Sequence, residues 1–173
     1  MTRKAPVPYS EIYRGLYRDN YSVMQYVFTQ FFVEHLTDVS RVFEADLQSV
    51  LVLAIVGQME LQIRIRANFQ GEGEMPREAW NGPEPRANST SIAEVSGIPR
   101  ETVRRKLEGL ARKGWVERDE GGQWRIVARG PGTPQVKRDL RDLEQRAIER
   151  ISRMLGKMHE QAVKAGAPPG DRS

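Results

Sequence analysis

The sequence predicts a mostly α fold with a small β wing, and three observations carry that prediction. Ser91 to Ile126 reads as a short helix, a tight turn, a basic helix and a hairpin. On either side lie long stretches whose apolar residues recur at helical spacing or fill a buried-helix run. Strand-like alternation outside the hairpin is confined to Met59, Leu61, Ile63 and Ile65, and Gly57 is the only turn signal that separates them from the helix before. Helical continuation over residues 58–66 is therefore the first reading, with a strand as the alternative.

Met1 to Pro8, with Arg3, Lys4, Pro6 and Pro8, reads as a basic arm, and residues 1–20 as a whole as an N-terminal arm. Tyr9, Tyr13, Tyr17 and Tyr21 fall every fourth residue, which makes a slowly drifting aromatic stripe on a helix. Asp19 or Asn20 can cap a helix from Tyr21 to about Leu36, with Val23, Val27 and Phe31 inward. Thr37, Asp38 and Ser40 offer caps for a second helix through the apolar run Val50 to Val56. Apolar on nearly every side, that helix is expected to be buried and shared with the basic-helix domain. The N-terminal helical region so defined spans residues 21–69. Residues 70–89, with Gly71, Gly73, Gly82, Pro76, Pro83 and Pro85, read as a linker loop, within which Trp80 is expected to dock.

Residues 90–130 then form the central unit. Ile92, Ala93 and Val95 give its first short helix an apolar face, and Ser96 and Gly97 break it. Pro99 suits the first turn of the next helix, where its missing N–H needs no partner. Val103, Leu107, Leu110 and Ala111 make that helix's inward stripe, and Arg100, Arg104, Arg105, Arg112 and Lys113 occupy the remaining surface. Gly114 ends the helix, Trp115 and Val116 start a strand, Glu120 to Gly122 turn it, and Trp124 to Val127 return. Together these elements make a winged helix-turn-helix.

The run G-I-P-R-E-T-V-R-R-K-L-E-G-L-A-R-K-G-W-V resembles the DNA-binding domain of the catabolite-activator (CRP/FNR) family of bacterial regulators, and more loosely the GntR and MarR families. The resemblance implies that Arg100, Glu101 and Arg105 of the R-E-T-V-x-R core read bases and that Thr102 holds a phosphate. It covers about a quarter of the chain, and nothing before residue 90 looks like the cyclic-nucleotide-type barrel those relatives carry. The chemistry agrees with those roles: a guanidinium can donate twice to guanine, and a carboxylate can accept from cytosine N4. Arg104, Lys106, Arg112 and Lys113 on the helix, with Arg118, Arg125 and Arg129 on the wing's shoulders, are expected at phosphates. Asp119 and Glu120 at the wing tip would repel phosphates.

After a short hinge at Gly130 to Pro134, a long C-terminal helix is expected over residues 135–165. Val136, Leu140, Leu143, Ala147, Ile151, Met154, Met158 and Ala162 are spaced 4-3-4-4-3-4-4 on it, close to an eleven-residue repeat. Such a seam must be buried. Leu140, Leu143, Ile151, Met154 and Met158 are read as dimerisation positions, and packing on the chain's own N-terminal helices is the competing reading. Residues 166–173, with Pro168, Pro169 and Gly170, read as a disordered tail.

Composition narrows the function classes. The 173 residues carry 27 basic and 23 acidic side chains, a formal charge of +4, which suits a nucleic-acid partner. There is no Cys, so disulfides, thiolate metal sites and Cys nucleophiles are excluded. His35 and His159 stand far apart, and no phosphate-binding glycine loop, metal-ligand cluster or nucleophile elbow is present. Neither an enzyme nor a cofactor is expected. The N-terminus lacks a signal-peptide core and the longest apolar run cannot span a bilayer, so a cytoplasmic protein without membrane contact is expected. The sequence therefore points to a homodimeric regulator on double-stranded DNA with a palindromic operator, any small-molecule effector being open. Two alternatives remain: a protein-interaction winged helix in a chromosome-organisation or replication complex, and a MarR-like ligand-gated repressor supplied with aromatics such as Tyr17, Tyr26, Phe28 and Phe32.

Overall fold

The computed structural model describes residues 9–68, 87–128 and 133–165. It is mostly helical with one two-stranded antiparallel sheet, as the sequence predicts. The chain divides into two compact units, one made of Met1–Val39 with Asp142–Ser173, the other of Ser40–Arg141.

The first unit contains helix α1 (Tyr9–Asp19), most of α2 (Tyr21–Val42) and most of α7 (Arg141–Lys164). Where an arm was expected over residues 1–20, Tyr9 onward is helical. The reason is that Ile12, Tyr13, Leu16 and Tyr17 form an apolar stripe, which packs with Met24 and Val27 of α2 and Met154, Met158 and Ala162 of α7. The tyrosine stripe is split accordingly: Tyr13 and Tyr17 are partly buried, whereas Tyr9 and Tyr21 are exposed. Polar pairs between α2 and α7 run in opposite order along the two helices. Asp38 accepts from Arg146 at 2.8 Å and Arg150 at 2.7 Å, Glu34 pairs with Arg153 at 3.4 Å, and Lys157 donates to Gln30 at 3.1 Å. The helices are therefore antiparallel. The two guanidiniums hold the Asp38 carboxyl at about 2, below its ordinary value; the hydrogen bond from Arg146 is the largest cause.

The second unit begins with a helix break that sequence signals placed elsewhere. Thr37, Asp38 and Ser40 do not cap anything: α2 runs on to Val42, and α3 (Leu47–Asn68) starts after a turn with Glu44 at φ 51° and Ala45 at φ 63°. Ala45 N–H donates to Ser40 O at 2.7 Å and so closes α2. Asp46 caps α3, accepting from Ser49 N–H at 3.1 Å and Ser49 Oγ at 2.6 Å. Residues 58–66 are helical, as the first reading had it. The linker expected over residues 70–89 lies outside the described residues as far as position 86, Trp80 included, as do Arg129, most of the hinge, the first eight residues and the tail.

The winged helix follows. Asn88 caps α4 (Ser89–Ser96) by accepting from Thr90 N–H and Ser91 N–H, each at 3.0 Å, while Ser91 Oγ accepts from Asn88 N–H at 3.2 Å. Gly97 takes φ 69° to end α4, a conformation that favours glycine. Pro99 serves as the N-cap residue of α5 (Arg100–Arg112) and not as its first helical residue. Ile92, Val103, Leu107 and Leu110 are buried, whereas Val95 points outward, against the expected face of α4. Strands β1 (Val116–Arg118) and β2 (Trp124–Ile126) pair with Glu117 opposite Arg125. Trp124 N–H also donates to Ala87 O at 2.7 Å, so the segment entering α4 supports the wing from its other side.

The expected continuous C-terminal helix is two helices: α6 (Gln135–Asp139) stops at Leu140, and α7 begins at Arg141. The break has a tertiary cause. Trp115 is buried, packs edge-on against Phe43 with ring centroids 5.7 Å apart, and donates its indole N–H to Asp139 at 2.7 Å. With Val136 also buried, α6 belongs to the winged unit. No helix among the described residues is long and apolar enough to cross a membrane.

Candidate nucleic-acid interface

Helix α5 carries the candidate site, and its two faces are set by periodicity. Val103, Leu107 and Leu110 anchor it inward, which leaves Arg100, Glu101, Arg104 and Arg105 exposed on its N-terminal half. Thr102 is half-buried at the edge. An open groove of about 550 Å³ runs between this half and the wing, lined by Arg100, Glu101, Arg104 and Glu108 from α5, Ser89 from α4, and Arg118 and Trp124 from the hairpin. The wing's position follows from α3, because Glu60 accepts from Ile126 N–H at 2.8 Å and ties β2 to that helix.

Within the groove the charges are organised. Arg104 donates to Glu101 at 2.6 Å and is also bound to Glu108, one turn away on the other side. Glu101 is consequently held below the usual carboxylate range, first by its hydrogen bond with Arg104 and then by the charges of Arg104 and Arg105. The Arg104 guanidinium is correspondingly raised by the same hydrogen bond. Arg100 and Arg105, by contrast, make no hydrogen bond or ion pair among the described residues. The residue types at this end can therefore donate bidentately to guanine from two arginines and accept through one positioned carboxylate.

The structure gathers only some of the residues expected at phosphates. Lys106 is turned toward α3: its ammonium donates to Asp46 at 2.7 Å, and the side chain is 20% exposed. Burial raises the Asp46 carboxyl, but the bonds from Lys106 and Ser49 outweigh it and the net shift is downward. Arg112 and Lys113 line a different hollow, of about 310 Å³, with Phe43, Asp46, Ser49, Gly109 and Leu110. There the Lys113 ammonium sits 4.9 Å from the Trp115 ring centroid. On the wing, Arg125 donates to Asp119 at 2.6 Å and Arg118 to Gly122 O at 3.2 Å. The first contact neutralises one of the two acidic tip residues and, as its largest cause, lowers the Asp119 carboxyl.

Sequence reasoning missed Glu108, Ser89, Trp124 and Glu60. The spacing Glu101, Arg104, Glu108 is an i, i+3, i+7 ladder visible in the sequence. Trp124 could have been found from strand alternation, which turns it opposite to Arg125. Glu60 and Ser89 gave no local signal. Among the residues expected in a dimer seam, Leu143 and Met158 are buried, Met154 packs on α1 and α2, and Leu140 is half-buried where α6 ends. Ile151 remains 40% exposed. The seam is thus largely covered by the chain's own helices. Among the described residues no three His, Asp or Glu side chains are placed to hold a metal ion.

Helix, turn, exposed basic helix and wing define a winged-helix DNA-binding domain of the transcription-regulator class. A comparison with family models agrees: residues 84–136 match TrmB, the sugar-specific transcriptional regulator. That match supports a winged-helix transcription regulator and does not support the resemblance to the catabolite-activator family. No curated protein and no solved structure matches the chain.

Proposed function

We propose that the protein is a sequence-specific transcriptional regulator that binds double-stranded DNA as a homodimer over an approximately palindromic operator. The observation that carries this reading is the N-terminal half of α5, where Arg100 and Arg105 stand exposed, with no hydrogen bond or ion pair among the described residues, beside the positioned Glu101. A recognition helix enters the major groove by that end, so these three side chains read bases. Thr102, Arg112, Lys113, Arg118 and Arg125 meet phosphates, and Arg104 acts chiefly on Glu101. The family match supports the reading because it spans the winged helix, and for that reason it bears on DNA and not on an effector. The reading requires no catalytic group or cofactor.

Selection of bound sequences from random DNA at two salt concentrations tests the proposal. The expected outcome is an enriched motif with two-fold symmetry and half-sites about 34 Å apart, bound more weakly at the higher salt. Salt-sensitive binding without any enriched motif would reduce α5 to a source of charge.

A further inference from the structure

The first unit has one edge sealed and the other open. Along one edge of the antiparallel α2/α7 pair, Asp38, Glu34 and Gln30 are joined to Arg146, Arg150, Arg153 and Lys157. Among the described residues the opposite edge is uncovered and mainly apolar at its centre, with Ser152 between Ile148 and Leu155 and Glu144 one turn before Ile148. Phe28, Phe32 and Leu36 each follow an inward-facing or half-buried position of α2 by one residue, and Ile148 and Leu155 do the same on α7. A displacement by one residue rotates both stripes in the same sense, and in an antiparallel pair that brings both to the same side. Phe28 and Phe32 stack with ring centroids 5.9 Å apart, Phe32 is 47% exposed and Ile148 is 58% exposed.

Helix α2 is also unusual in its charge. From Tyr21 to Leu36 the only formally charged side chain is Glu34, which is occupied by Arg153, in a chain that is 29% charged. An ordinary solvated helix face would carry charge, whereas depletion of charge marks the centre of an interface.

We infer that this face, formed by Phe28, Phe32 and Leu36 of α2 with Ile148, Ile151 and Leu155 of α7, docks a second copy of the chain. Those six side chains expose on the order of 600 Å² of surface, most of the ~800 Å² that one partner contributes to a standard interface. A two-fold axis through the face sets two antiparallel helix pairs against each other as a four-helix layer. The inference deepens the homodimer reading by naming its surface, and α2, not the α7 seam that the spacing suggests, supplies the aromatic centre. It does not rest on which bases α5 reads.

Sedimentation of the full chain at tens of micromolar, with the Phe32→Glu and Ile148→Glu variants, tests it. Both positions are exposed in the single chain, so helix content by circular dichroism should stay at the wild-type level. A carboxylate forced into the interface should weaken self-association by at least about tenfold. Val95→Glu, an exposed apolar position on α4, should leave the dimer intact. The chain's lack of Cys permits a second measurement: Phe28→Cys or Phe32→Cys should give a disulfide-linked dimer on mild oxidation, and Glu149→Cys should not. A monomeric wild type, or variants that dimerise like wild type with no cross-link through α2, would overturn the assignment. Should a glutamate variant lose its fold, the cross-linking result decides alone. DNA binding is read separately: a wild-type dimer that selects no motif refutes the base-reading proposal and leaves this surface standing.

Discussion

Replacing Lys106 by Met separates two roles that a lysine on a recognition helix can have. Met keeps the aliphatic stem and removes the ammonium, so only the contact to Asp46, 2.7 Å long, is lost. Exposed ion pairs are worth about 0.2–1 kcal/mol and breaking buried ones costs about 3–5 kcal/mol. At side-chain exposures of 20% and 37% this pair lies between the two classes. Asp46 keeps its bonds from Ser49 N–H and Oγ, which lowers the cost of leaving it without a cation. A loss of about 1–2 kcal/mol is therefore expected. For a chain of this size that corresponds to a fall in Tm of roughly 2–8 °C. Because the ammonium is already neutralised, the dependence of DNA affinity on salt should not change. Thermal denaturation and binding across a salt series, on the same preparation, check both halves. Unchanged Tm together with a salt slope lower by about one unit would show that Lys106 reaches a phosphate and that its bond to Asp46 is incidental.

Three further outcomes follow from the same geometry. Arg105→Ala should cost about 1–3 kcal/mol on the selected operator and relax preference at one base pair, measured against scrambled DNA, where the loss should be smaller. Lys113→Ala should weaken operator and scrambled DNA about equally and lower the salt slope by about one unit, since Lys113 lies at the far end of α5 beside Trp115. Asp38 has its carboxyl depressed from 3.8 to about 2 in the fold, so its contribution is present above the unfolded value and fades as pH falls toward 2. With allowance for solvent screening it amounts to about 1–2 kcal/mol, and Asp38→Asn should both remove it and flatten the acid limb of a stability–pH curve measured by denaturant unfolding.

The winged helix was legible in the sequence because its determinants are local. Gly97 and Gly114 sit where the backbone takes φ 69° and 71°, and the stripe Val103, Leu107, Leu110 orients α5 whatever packs on it. With the inward face set, the exposure of Arg100, Glu101 and Arg105 followed from helix periodicity alone. Such features survive in any context, because they depend on residues within one or two turns of each other.

Tertiary structure decided the rest. The stop of α2 falls on Glu44 and Ala45, residues with no left-handed preference, and the chain holds that turn through the bond to Ser40 O and the cap at Asp46. The C-terminal helix breaks at Leu140, although its spacing runs on unbroken, because Trp115 and Asp139 draw α6 into the winged unit. Lys106 resembles its basic neighbours in every local respect and differs only in having Asp46, sixty positions earlier, within reach. The apolar spacing of α7 established that a seam must be covered; that α1 and α2 cover most of it, and that the uncharged face of α2 remains open, is a matter of which helices meet. Periodicity specifies that a face is buried, and only the packed chain specifies against what.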